Sequence, residues 1–131
     1  MRGADTQNWF RSAEDDLLWA RISLEGGLFT RACFASQQAV EKILKAFLIA
    51  RTGAYPRVHP LLELLALAVE LDGSLQQFRS QCEIIDKYYT PTRYPELALA
   101  EDFDLARAEE ALDLATTIVQ SVHAKIVGHP T

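Results

Sequence analysis

The sequence predicts an all-α protein, an up-and-down bundle of about five helices, and three observations carry that expectation. Apolar residues recur at steps of three and four through five separate stretches. Gly, Pro and Asp gather between those stretches and not within them. No stretch alternates with the period of two that a half-buried strand needs, and no internal repeat is present. With 131 residues, 49% of them hydrophobic, the chain can bury a core as a single domain spanning 1–131 without staples or metals.

The first helix is expected over about Asp5 to Leu24, with Trp9, Ala13, Leu17, Ala20 and Leu24 inward and Gly26-Gly27 as the stop. The second covers roughly Leu28 to Arg51. Its apolar stripe runs from Phe29 to Leu48, and Gln37, Gln38, Glu41, Lys42 and Lys45 form the opposite side. Pro60 suits the first turn of a third helix, Leu61 to Leu71, which is apolar nearly all round and so is expected to be buried. Ser74 and Gln77 resemble a capping box for a fourth helix reaching about Tyr89. Pro91 and Pro95 break the chain between Thr90 and Asp102. Asp102 or Asp104 can then cap a fifth helix with a narrow stripe of Leu105, Ala108, Leu112, Ala115, Val119 and Val122. Its small residues allow close helix approach, within the bundle or in a dimer.

A formal net charge of −5 argues against an extended duplex-binding surface, though not against a compact basic site. Cys33 and Cys82 sit in apolar helical patterns and read as core residues, with no zinc-type spacing near them. The N-terminus lacks the apolar region of a signal peptide, and no run reaches membrane-span length, so a cytoplasmic location is expected. No Walker loop, dinucleotide fingerprint or HExxH motif is present, and no metal or cofactor is expected beyond a bound nucleotide. The acidic pairs Asp15-Asp16 and Glu109-Glu110 read as solvated helix faces.

Three places can carry chemistry. Gln38, Glu41, Lys42 and Lys45 share about one quadrant of the second helix, because they differ by three, four and seven positions. They fit either a surface helix with a Glu41–Lys45 ion pair or one wall of a polar site. His59, at the entry to the third helix and close to Arg57, either caps that helix or faces a ligand. Tyr88, Tyr89, Arg93 and Tyr94 set three rings and a guanidinium around a two-proline loop. That chemistry suits base stacking and phosphate pairing, and it equally suits a tyrosine-rich plug on the bundle.

At these residues the sequence resembles the HEPN family, the nucleotide-binding helical domains of higher eukaryotes and prokaryotes. The matching pieces are Ala13-Glu14-Asp15-Asp16-Leu17, Phe34 through Lys45, His59-Pro60-Leu61, Tyr88-Tyr89 and Arg93-Tyr94-Pro95, in that order along nearly the whole chain. The resemblance implies a helical bundle, commonly a homodimer, with a role near nucleotides or RNA. It also implies a small nucleotidyltransferase partner in a toxin–antitoxin-like pair. Many members are metal-independent ribonucleases that carry an Arg, four to six residues, then a His. Here the positions where that His should follow Arg93 are Ala98, Leu99 and Ala100.

The expected function is therefore a non-catalytic nucleotide- or RNA-associated domain. Lys42, Lys45, Arg57, His59 and Arg93 would meet phosphate, while Tyr88, Tyr89, Tyr94, Gln38 and Glu41 would stack or make polar contacts. The alternatives are a toxin-type endoribonuclease and a structural dimerisation module. Arg93→Ala is expected to weaken nucleotide affinity by about tenfold or more, as loss of a charge-assisted phosphate contact would; an unchanged dissociation constant in calorimetry would remove Arg93 from the site.

Overall fold

A computed structural model describes residues 2–58, 60–88 and 103–128. Among these residues five α-helices follow one another: α1 (Arg2–Glu25), α2 (Phe29–Thr52), α3 (Leu61–Leu71), α4 (Arg79–Asp86) and α5 (Leu105–Val127). A stretch of 3₁₀ helix (Gly73–Phe78) joins α3 to α4. No strand occurs among the described residues.

α2 is the axis of the bundle. Ala35, Ser36, Gln37, Ala39, Val40, Glu41 and every residue from Ile43 to Ile49 are buried, so this helix has almost no solvent face. A helix buried all round must be enclosed by others, and α1, α3, α4 and α5 all pack on it. α1 runs antiparallel to α2, since Trp9 reaches Lys45 while Asp16 reaches Lys42. α5 runs parallel to α2: Ala108 and Ala111 cluster with Ala32 and Cys33 at one end, and the Arg51 guanidinium donates to the Lys125 carbonyl at the other, 3.2 Å away. Ala108, Ala111 and Ala115 are fully buried, so the small-residue stripe serves close approach within the bundle.

The turns follow local chemistry. Gly27 (φ 77°) and Gly53 (φ 86°) take left-handed backbone conformations that other residues adopt only at a cost, and they close the ends of α1 and α2. Asp104 caps α5 by accepting a hydrogen bond from the Arg107 amide at 2.8 Å. The Asp86 carboxylate accepts from the Leu61 amide at 2.9 Å, which ties the end of α4 to the start of α3.

Four expectations are corrected. α3 is not buried all round: Leu67 and Leu71 are exposed, because the bundle covers only the Leu61, Leu64, Leu65 and Ala68 side. Asp72, not Ser74, caps the next turn, accepting from both the amide and the hydroxyl of Ser74. Those bonds hold its carboxyl below the ordinary range. The chain after Asp72 is 3₁₀ until Phe78, so the fourth α-helix begins at Arg79. Leu105 stands half exposed at the start of α5 and takes no part in the core stripe.

Cys33 and Cys82 are buried free thiols, and loss of hydration pushes each up to about 12, so both stay protonated and unreactive at neutral pH.

Candidate functional site

The polar quadrant of α2 is largely covered: Glu41 and Lys45 are buried, and Gln38 and Lys42 are half-buried. Glu41 and Lys45, one helical turn apart, form an ion pair of 2.9 Å with side chains only 6% and 5% exposed. The Lys45 ammonium lies 5.5 Å from the Trp9 ring centre and 5.4 Å from that of Tyr55. The two rings meet edge to face at 5.0 Å. One buried cation thus joins α1, α2 and the loop after α2. Removing both charges from water is costly, and the pair is held by its short contact and by the ring quadrupoles beside the ammonium. The expectation of a solvent-facing Glu41–Lys45 pair is corrected here: α1 covers that side of α2, which helical periodicity alone cannot show.

Lys42 pairs with Asp16 of α1 at 2.8 Å. Asp16 is therefore not part of a solvated acidic face, although Asp15, Glu109 and Glu110 are exposed. Burial pushes the Asp16 carboxyl above its ordinary value, opposed by the hydrogen bond and charge of Lys42. The Gln38 amide donates to the Gln37 side-chain oxygen at 2.6 Å. Gln37 is fully buried, and its own amide nitrogen finds no acceptor among the described residues.

Beyond the ring pair a hollow of about 350 Å³ opens, lined by Asp5, Trp9, Ile49, Gly53, Ala54, Tyr55 and Arg57. Arg57 is exposed at its rim, so of the expected cations Arg57 and Lys45 share Tyr55 as a neighbour, one outside and one inside. Tyr88 lies elsewhere. It is buried in a cluster with Cys33, Ala108 and Phe103, its ring 5.9 Å from that of Phe103. Cys33 and Lys45 are twelve residues apart on α2, or about 18 Å along the axis. Burial raises the Tyr88 phenol, so it stays neutral. His59, Tyr89, Arg93 and Tyr94 lie outside the described residues.

Trp9, Tyr55 and Asp5 were not singled out by sequence. Trp9 falls in register with the α1 core stripe and reads as packing. Tyr55 carried a usable signal: it is an aromatic residue in a Thr-Gly-Ala-Tyr-Pro turn, where a ring is not needed for the turn itself.

The structure defines a class first: an all-α bundle around a buried central helix, with an ion pair held beside two rings below a surface hollow. A HEPN domain family model matches residues 6–126, and the chain belongs to that family. Its fold is similar to the crystal structure of TT1696 from Thermus thermophilus, with 37% identity, a TM-score of 0.80, and coverage of 92% of this chain and 97% of the other. It is also similar to ST0689, an archaeal HEPN homologue, with 31% identity, a TM-score of 0.75, and the same coverage of both chains. Comparison with curated proteins gives no match. No described helix is long and apolar enough to cross a membrane.

The buried pair makes a specific demand on stability. Glu41→Leu leaves the Lys45 charge uncompensated and is expected to cost about 3–5 kcal/mol. Adding Lys45→Met to that variant should recover most of the loss. Urea unfolding of both variants decides the matter, and a single variant as stable as the parent would show that the pair is solvated in solution.

Proposed function

We propose that this HEPN-family protein is a non-catalytic nucleotide- or RNA-associated domain that acts as the partner of a small nucleotidyltransferase in a toxin–antitoxin-like pair. The observation that supports it best is Arg57: an exposed guanidinium beside a recessed aromatic pair, in a chain without the Arg–His spacing of the family's ribonucleases. Such a group can hold an anion by charge and directed N–H donors. On this reading Arg57 and Arg93 meet phosphate, with Lys42 and His59 as further cationic contacts. Lys45 and Glu41 form the floor that keeps the rings in place. Gln38, Tyr89 and Tyr94 supply polar or stacking contacts, whereas Tyr88 is taken up by the apolar cluster with Cys33 and Phe103. Co-expression with a nucleotidyltransferase encoded beside the gene should yield a complex that survives size-exclusion chromatography. Purified protein should also leave a cellular RNA pool intact in the presence of chelator. RNA cleavage that Arg93→Ala abolishes would instead establish the ribonuclease alternative.

A second feature supports the homodimer as part of this function. Leu18, Trp19 and Ile22 on one side of α1 are 56%, 63% and 54% exposed. Beside them a groove of about 480 Å³ is lined by Trp19, Leu28, Phe34 and Ala35, among others. Large exposed apolar groups next to an apolar groove suit a self-complementary two-fold contact, in which Trp19 of one protomer enters the groove of its partner. Light scattering should give twice the chain mass for the parent and the single mass for Trp19→Asp. A monomeric parent, or a dimeric Trp19→Asp, would contradict this.

A further inference from the structure

The hollow outside the Trp9–Tyr55 pair has a composition that the sequence did not foretell. Its walls are two half-buried rings. Below them the Lys45 ammonium, which touches both rings, is paired with Glu41. Among the described residues its rim carries one charge of each sign, Asp5 and Arg57, both exposed. Neither forms an ion pair with any described residue, and so they do not neutralise each other. The volume of about 350 Å³ falls within the range of small-molecule sites.

Each component selects a part of a ligand. Indole and phenol faces favour a flat ring system. A guanidinium with free N–H groups favours a phosphate. An ionised carboxylate is acceptor-only, so it demands an edge with N–H donors and repels an edge that presents ring-nitrogen lone pairs. A guanine offers two adjacent donors on one edge, the ring N–H and the exocyclic amine. The equivalent adenine edge offers only one donor, beside a lone pair. An inorganic anion would use Arg57 alone and meet repulsion from Asp5.

We propose that this hollow is a guanine-nucleotide site, in which the base stacks on Trp9 and meets Tyr55 edge to face, Asp5 accepts from its donor edge and Arg57 holds the phosphate. The assignment rests on the nucleotide-associated function above and names its ligand. It moves the stacking group from the tyrosines at 88, 89 and 94 to Trp9, with Tyr55 beside it.

The test uses GMP, AMP and inorganic phosphate with the full chain, read by calorimetry and by tryptophan fluorescence. GMP should bind about tenfold more tightly than AMP, and phosphate alone should be weaker still. Arg57→Ala should weaken GMP and AMP alike by about tenfold. Asp5→Asn should erase the preference for GMP while leaving AMP binding intact. Both residues are exposed and outside any described ion pair, so the variants should keep the parental urea midpoint. GMP should quench the fluorescence of the parent and of Trp19→Phe but not that of Trp9→Phe. GMP binding that survives Arg57→Ala and Asp5→Asn yet falls in Arg93→Ala overturns this site and leaves the nucleotide function standing elsewhere. Equal binding of GMP and AMP by the parent overturns the base assignment. Absence of any nucleotide binding overturns the site, while the transferase complex and the RNA assay still judge the broader function independently.

Discussion

The contact on which the rest of this structure depends is the Glu41–Lys45 ion pair enclosed between α1, α2 and the loop that leaves α2. Both side chains are almost wholly out of water. A charge placed there is tolerable only with its counter-charge and polarisable neighbours in fixed positions. The Trp9 and Tyr55 rings sit within 5.5 Å of the ammonium. That requirement fixes the register of α1 on α2, because a shift by one residue would turn Trp9 away from Lys45. It also brings the Thr52–Arg57 segment back over the end of α2, since Tyr55 must reach the same cation. Arg57 reaches the rim of the hollow as a consequence.

The polar seam continues along α2. Lys42 and Asp16 repeat the same α2–α1 pairing one step further, in a less buried position, and Gln38 and Gln37 form a hydrogen-bonded pair beyond it. Two of these contacts cross from α2 to α1, Lys42 to Asp16 and the Lys45 ammonium to the Trp9 ring, and directed contacts of that kind discriminate among registers that hydrophobic packing alone would allow. The opposite side of α2 is different. There Ala32, Cys33, Ala108 and Ala111 let α5 lie close, with Tyr88 and Phe103 filling the end. One helix thus adds charged contacts to its apolar packing against α1, and meets α5 largely through small-residue packing.

This division separates the expected site residues. Arg57 and Lys45 are gathered by the loop at the C-terminal end of α2, whereas Tyr88 is drawn into the apolar cluster near its N-terminal end. Burial, not chemistry, decides the role of each group. Lys45 is a cation on paper, but in the fold its charge is answered by Glu41. Arg57 has an ordinary position in the sequence, but in the fold it keeps its guanidinium in water beside two rings.

Sequence alone determined the helices and most of their limits, because 3.6-residue periodicity, the glycines at 27 and 53 and the aspartate at 104 act through local geometry that needs no tertiary partner. It also carried the family resemblance, since the motif residues appear in order along the chain. Tertiary structure decided which face of α2 is covered, that Asp16 answers Lys42, that α3 leaves Leu67 and Leu71 in water, and that Trp9 and Tyr55 meet. Those outcomes depend on residues far apart in sequence, and a helical stripe gives only the spread of polar groups around an axis, not what lies against them. Trp9 and Lys45 are separated by the whole α1–α2 turn, so nothing local could pair them. Their contact exists because enclosing α2 leaves one position for each.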